Sequence, residues 1–254
     1  MTAFPPEPAF LDANGRRLAY RQTQGFGPEV VFLAGFRSDM EGSKALAVEA
    51  DCSTRGQAFT RFDYSGHGRS SGAFTDGCIG DWLEDALAVV DRVTEGPLLL
   101  VGSSMGGWIM TLVAKHRPER VHALVGIAPA PDFTEDLIWN VATPEQRRAL
   151  AETGVHYEPS AYAEEPTPIT LKLVEDGRRH LVLRDPLPIS CPMHLIHGQK
   201  DPDVPWQTSL RLAGHVPAQD VTIELIKDGE HRLSRNADIA RILHAVGRLS
   251  GAER

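Results

Sequence analysis

Along most of this chain, short apolar runs alternate with stretches in which apolar residues recur every three or four positions, the mark of buried strands separated by amphipathic helices. Residues 18–23 read as a strand, and Val30, Val31, Phe32 and Leu33 make a wholly apolar one that ends near Gly35. Residues 43–54 are Ala-rich and of helix-forming composition, whereas residues 58–64 look extended. Trp82, Ala86, Val89, Val90 and Val93 then fall on one helical face, which must pack on a sheet. Leu98, Leu99, Leu100 and Val101, bounded by Pro97 and Gly102, suit a strand buried on both faces. A helix is expected from Met105 towards Arg117, stopping before Pro118, and another apolar strand over 121–127. Such alternation specifies an α/β protein, a parallel sheet covered on both sides.

The rhythm breaks between Phe133 and Leu187. A helix-like stretch over 143–152 leads into a Pro-rich passage and two strand-like runs, 169–174 and 180–183, which flank Glu175-Asp176-Gly177-Arg178 as a hairpin turn. We read 133–187 as an inserted cap and residues 1–132 with 188–254 as one core. The cap holds 10 acidic and 6 basic residues, so it does not collect polyanions. The parallel pattern resumes over 192–197 and at Val221, Ile223 and Leu225, before a closing amphipathic helix over 237–249.

Composition narrows the function classes. Asp+Glu number 34 against 26 Lys+Arg, a formal charge of −8, which excludes nucleic acid as a partner because phosphate binding calls for a basic stripe. Area scaling over 254 residues removes roughly 73% of the unfolded surface from water, so one domain can stand on its core. No apolar run approaches the ~18 residues of a membrane span. The first residues lack the basic and apolar segments of a secretory leader, so the expected location is cytoplasmic, or the mitochondrial matrix for a processed eukaryotic form. Cys52, Cys78 and Cys191 are odd in number without C-x-x-C spacing, which fits inert thiols in a reducing compartment.

The chemistry centres on Gly102-Ser103-Ser104-Met105-Gly106, a G-x-S-x-G string at a strand-to-helix junction. There the glycines permit a tight turn, and Ser104 projects its Oγ at the carboxyl edge of the sheet, above a helix start whose dipole favours negative charge. An activated serine needs a base. Among ten histidines, His231 follows a strand through the short loop Asp228-Gly229-Glu230 and would stand at the same edge. His116, His122 and His244 read as surface or packing residues, and His67, within Gly66-His67-Gly68, as structural. His194 and His197 lie three apart on a strand, on opposite faces, which argues against a shared metal. The carboxylate that orients His231 is expected to be Asp201, just past a strand end; Asp203 is a near competitor and Asp132 a weaker one.

Acyl transfer also needs oxyanion donors, for which the Met105 N–H and, from the Ala34-Gly35-Phe36-Arg37 loop, the Phe36 N–H are nominated. No metal or organic cofactor is required. Leu137, Ile138 and Trp139 either line a pocket for an acyl chain or cement the cap to the core, and Trp206 is a similar case.

Arg61-Phe62-Asp63-Tyr64-Ser65-Gly66-His67-Gly68-Arg69-Ser70 resembles the D-x-x-G-x-G-x-S passage of the α/β-hydrolase superfamily, and His197-Gly198-x-x-Asp201-x-x-Val204-Pro205 resembles its acid loop. The likeness covers essentially the whole chain. The strings from Gly35 to Ala45, from Gly102 to Trp108 and Asp203-Val204-Pro205-Trp206 are similar to the branch containing mitochondrial palmitoyl-protein thioesterase, also described as an acyl-glucuronide esterase. Ala34-Gly35 stands where many superfamily members carry His-Gly, as in this branch. The resemblance implies an α/β-hydrolase fold and cleavage of acyl thioesters or activated esters, borne by small molecules or S-acylated proteins, through Ser104, Asp201 and His231. A small-molecule carboxylesterase is the rival within the class, and a non-catalytic ligand-binding protein on the same fold is the rival outside it.

Overall fold

An eight-stranded sheet forms the centre of the computed structural model, which describes residues 7–160 and 164–251. The strands along the chain are β1 (Ala9–Ala13), β2 (Arg16–Thr23), β3 (Phe26–Leu33), β4 (Gln57–Phe62), β5 (Leu98–Ser103) and β6 (Val121–Ile127). They continue with β7 (Val155–Glu158), β8 (Thr167–Thr170), β9 (Met193–Gly198) and β10 (Val221–Ile226). The large sheet runs β1-β2-β4-β3-β5-β6-β9-β10, antiparallel at its first two pairings and parallel from β4 to β10. Every residue of β5 is buried, and Val101 lies opposite Phe32 of β3 and Val125 of β6, as a strand central to a two-sided core requires.

The helices are α1 (Ser43–Thr54), α2 (Ile79–Arg92), α3 (Met105–His116), α4 (Pro144–Thr153), α5 (Leu171–Gly177), α6 (Gln207–His215) and α7 (Asn236–Leu249). On the sheet, α1 packs with α7 and α2 with α3. Trp82, Ala86, Val89 and Val90 are fully buried on the inner face of α2, where the helical spacing placed them. Buried from Met105 to Ala114, α3 lies between the sheet and the 133–187 insertion, and Trp108 donates its indole N–H to His180 O at 3.0 Å. No helix among the described residues is long and apolar enough to cross a membrane. Burial pushes the free thiols of Cys52 and Cys78 up to about 12 and that of Cys191 to about 11, so all three stay protonated near neutrality.

The insertion differs from its sequence reading. A π-helical turn, Thr134–Trp139, precedes α4, which has a capping box between Thr143 and Gln146, Pro144 in its first turn and a left-handed Gly154 at its end. The hairpin expected over 169–174 and 180–183 is absent there; the antiparallel pair is β7 with β8, Val155 facing Thr170. Residues from Leu171 onward form α5 instead, because the Thr170 side chain caps its start by accepting from Leu173 N–H at 3.1 Å. Gly177 keeps a right-handed φ of −54°; it is small because a Cβ would stand 2.2 Å from Thr134 Oγ1. The 180–183 run cannot pair as a strand, since the Asp132 carboxylate takes the Val182 and Leu183 N–H groups at 2.7 and 2.9 Å.

Gly177→Ala is therefore expected to lower unfolding free energy by about 1–3 kcal/mol through overpacking. Gly247→Ala, in the open interior of α7, is expected to raise it by about 0.5–1 kcal/mol. Urea denaturation of the two variants measures both signs.

Candidate active site

To pass from β5 into α3 the chain bends at Ser104, which takes φ 54° and ψ −118°, a left-handed conformation costing a non-glycine residue about 1–2 kcal/mol. Three backbone bonds hold it: Ser104 N–H to Ile127 O at 2.9 Å, and Gly107 and Ala130 N–H to Ser104 O at 2.8 and 3.0 Å. The flanking glycines answer to close approach. A Cβ on Gly102 would lie 2.4 Å from Gly106 O, and one on Gly106 would lie 2.0 Å from Leu33 O.

Ser104 Oγ then lies 3.0 Å from His231 Nε2, and His231 Nδ1 lies 2.7 Å from Asp201 Oδ2. Because a carboxylate only accepts, Nδ1 carries the proton and Nε2 is free to accept from the serine hydroxyl. The loops after β9 and β10 supply the two partners and are stitched together: Gln199 N–H bonds Ile226 O and Lys200 N–H bonds Gly229 O. Gly198 crosses so near that a Cβ would meet Gly229 O at 2.3 Å.

The Asp201 side chain is fully buried, yet four donors meet it. Oδ1 accepts from Asp203 and Val204 N–H, both at 2.8 Å, while Oδ2 accepts from His231 and, at 3.2 Å, from His197 Nε2. Burial alone would raise its pKa; hydrogen bonds from His197 and His231, with the His231 charge and the Val204 N–H, outweigh it and hold the carboxyl well below the usual carboxylate range. His197 was read from the sequence only as a strand histidine. It is wholly buried, its Nδ1 is 2.7 Å from Ser209 Oγ, and the legible signal was its place in the His-Gly-x-x-Asp string. Of the rival carboxylates, Asp203 contributes its backbone to Asp201, and Asp132 is spent on the insertion. Asp201, Asp203 and His231 each bring an atom within 4.8 Å of the others, but both Asp201 oxygens and both His231 nitrogens already have partners, so the set does not fit a resident cation.

A cavity of about 670 Å³ opens over Ser104 and His231. Phe36, Phe133, Leu137, Ile138 and Ile169 give it an apolar side, and Lys44, Arg232 and Asp203 line it as well. The Ala34–Arg37 stretch skirts the serine, with a Cβ on Gly35 falling 3.4 Å from Ser104 Cβ. Leu137 and Ile138 line the cavity, whereas Trp139 and Trp206 do not. Trp139 packs with Leu150, Ile169 and Val174 inside the insertion, its ring flanked by the Arg147 and Arg178 guanidinium groups, and Trp206 stands half-buried at the start of α6.

Fold and site together define a serine hydrolase of the α/β-hydrolase class. The chain belongs to the family described as serine aminopeptidase, S33 (Hydrolase_4), whose model matches residues 28–187. It is 40% identical over 230 residues to human mitochondrial palmitoyl-protein thioesterase ABHD10, covering 90% of this chain and 75% of that protein. Among solved structures it resembles the mouse α/β hydrolase domain-containing protein 10 (39% identity, TM-score 0.89, 96% and 98% of the two chains). A protein of Agrobacterium vitis S4 is also similar (42% identity, TM-score 0.93, 97% and 100%).

Lys44 was not singled out by sequence. Its Nζ donates to Arg232 O at 2.6 Å on the cavity wall, and burial, aided by the Arg232 cation, pushes the ammonium down to about 8 from 10.5. Between those values the unfolded chain binds the extra proton, so this group makes stability rise with pH there. Lys44→Met is expected to flatten that rise relative to the parent chain; urea midpoints taken near pH 7 and near pH 10 provide the comparison.

Proposed function

We propose that this chain hydrolyses acyl thioesters and activated carboxylic esters, with Ser104 as nucleophile, His231 as general base and acid, and Asp201 as the group that orients and stabilises the imidazolium. The unbroken run of hydrogen bonds from Ser104 through His231 to a buried, ionised Asp201 carries this reading. Ser104 Oγ attacks the carbonyl carbon as its proton passes to His231 Nε2. The Phe36 and Met105 N–H groups take the oxyanion. Collapse breaks the bond to the leaving sulfur or oxygen, which receives the His231 proton, and leaves an acyl-serine. Water, deprotonated by the same imidazole, then releases the acid and restores the hydroxyl.

The thioester preference draws on the name borne by the 40% identical relatives and on the apolar cavity side, suited to an acyl chain. Residues 133–187 serve as a cap, contributing Phe133, Leu137, Ile138 and Ile169 to the apolar lining, over a core of 1–132 and 188–254. The substrate is a small acyl ester or thioester or an S-acylated protein. Protonated, unpaired thiols suit a reducing compartment, the cytoplasm or, for a processed form, the mitochondrial matrix.

A fluorophosphonate probe is expected to label the protein and to lose its target in Ser104→Ala; persistent labelling would remove the nucleophile from the scheme. S-acyl peptides of graded chain length, run beside p-nitrophenyl esters, then rank the substrates, and turnover of oxygen esters alone would leave a carboxylesterase. Asp201→Asn is expected to cut kcat by about 10³–10⁴-fold and Asp203→Asn by less than about tenfold. Equal losses would show that the wrong carboxylate had been assigned.

A further inference from the structure

The passage between β4 and α2 wraps around Asp63, whose carboxylate accepts from Met40 N–H at 2.6 Å and from Arg69 N–H at 2.8 Å. Gly66 and Gly68 turn it with φ of 73° and 47°, and a Cβ on Gly68 would collide with the carboxylate at 2.2 Å. His67, at the tip, is 4% exposed and meets the rings of Tyr64, Phe74 and Trp82 edge-on at 5.8, 5.1 and 5.2 Å. Its proton has one place to be. Nδ1 is 3.1 Å from Ser65 O, a pure acceptor, so Nδ1 donates; Nε2 keeps its lone pair and accepts Arg37 N–H at 3.3 Å. Burial lowers the His67 pKa against the opposing pull of Ser65 O and Asp39, in keeping with a neutral ring.

Arg37 is an unusual residue to find there. Its φ is 57°, and it sits in the turn closed by Ser38 N–H on Gly35 O at 3.1 Å, with Phe36 as the other central residue. Its guanidinium reaches the insertion, donating to Pro166 O and Thr167 Oγ1 at 3.1 Å and to Glu165 O at 3.5 Å. In so short a turn no peptide orients independently of the next.

We propose that His67 is a positioning residue for the oxyanion loop: by accepting the Arg37 N–H it pins that residue in its left-handed conformation and so aims the preceding Phe36 N–H at the oxygen of the reacting carbonyl. The Arg37 guanidinium ties the same residue to the cap from the opposite side. This rests on the reading of Phe36 N–H as an oxyanion donor. Without the acceptor, the Arg37 N–H loses its partner among aromatic rings, and the turn relaxes towards ordinary φ. A donor displaced by about 1 Å forfeits on the order of 10²-fold in rate.

His67→Phe removes the acceptor while filling the aromatic site, and Ser65 O keeps its bond from Trp82 Nε1 at 3.1 Å. His67→Gln restores an acceptor near the Nε2 position. With p-nitrophenyl esters, His67→Phe is expected to lower kcat by about 10- to 100-fold and change KM by less than about twofold. Affinity for an alkyl trifluoromethyl ketone, which becomes an oxyanion on adding Ser104, is expected to fall in parallel, while affinity for the product carboxylic acid holds. His67→Gln is expected to recover most of both losses. Unchanged kcat and ketone affinity in His67→Phe would overturn the proposal. So would losses that His67→Gln does not mend, or that track a lowered melting temperature in both variants. Activity surviving in Ser104→Ala would remove the underlying reading, and the role of His67 with it, whereas an inert Ser104→Ala beside a fully active His67→Phe would refute the role of His67 alone.

Discussion

The left-handed bend at Ser104 is the constraint on which the remaining structure depends. A conformation that costs a serine about 1–2 kcal/mol persists only where its surroundings leave no alternative. Here they consist of β6, whose Ile127 carbonyl and following Ala130 N–H grip both sides of the Ser104 peptide, and of β3, whose last carbonyl leaves no room for a side chain at position 106. Both neighbours of β5 therefore take part. That explains why the strand is central and wholly buried: an edge strand has one neighbour and could not hold the bend from two sides.

A second constraint is electrostatic. The protein buries several carboxylates, and what each receives in hydrogen bonds decides its chemistry. Asp63, Asp85 and Asp132 have pKa values raised by burial, and each takes backbone N–H groups that fasten a loop or the insertion. Asp201 receives two backbone N–H groups and two imidazoles and remains an anion. Under the proposed mechanism its charge is in place before a proton reaches His231, so little reorganisation would accompany formation of the imidazolium. His197 contributes by occupying the second lone pair of Oδ2, which leaves one geometry for the bond to His231.

Much of this was legible in the chain itself. Strands β3, β5 and β6 announce themselves by the apolar runs over 30–33, 98–101 and 123–125, because a strand segment covered on both faces carries few polar positions. G-x-S-x-G marked the bend, and the His197-Gly198-x-x-Asp201 string just past a strand end pointed to Asp201, with Asp203 its near competitor. What escaped notice depends on contacts distant in sequence. The pattern Glu-Asp-Gly-Arg is a turn signal by composition, yet Gly177 is small because Thr134 presses on it, which nothing within a short window reveals. Trp139, apolar and near the start of the insertion, sits between two guanidinium groups rather than in the cavity. His67 and His197 fall inside the Gly66-His67-Gly68 and His-Gly-x-x-Asp strings, but what each ring bonds follows from its orientation, and a sequence carries no tautomers.

The cavity joins two sources of structure. The core brings Ser104, Asp201, His231 and the Ala34–Arg37 stretch, all at the carboxyl ends of β3, β5, β9 and β10, and the insertion brings much of the apolar surface. Phe36 belongs to both. Its ring stands edge-on to Phe74 at 4.9 Å, Phe133 at 5.5 Å and Trp82 at 5.8 Å, and it also packs against the small cluster of Leu150, Ile169 and Val174 inside the insertion. Its backbone, one residue before Arg37, lies in the turn beside Ser104. A side chain packed against the insertion is thus covalently joined to the backbone turn beside Ser104. Interior packing of this density leaves little slack, so the core and the insertion together place the Phe36 ring and the turn that carries it.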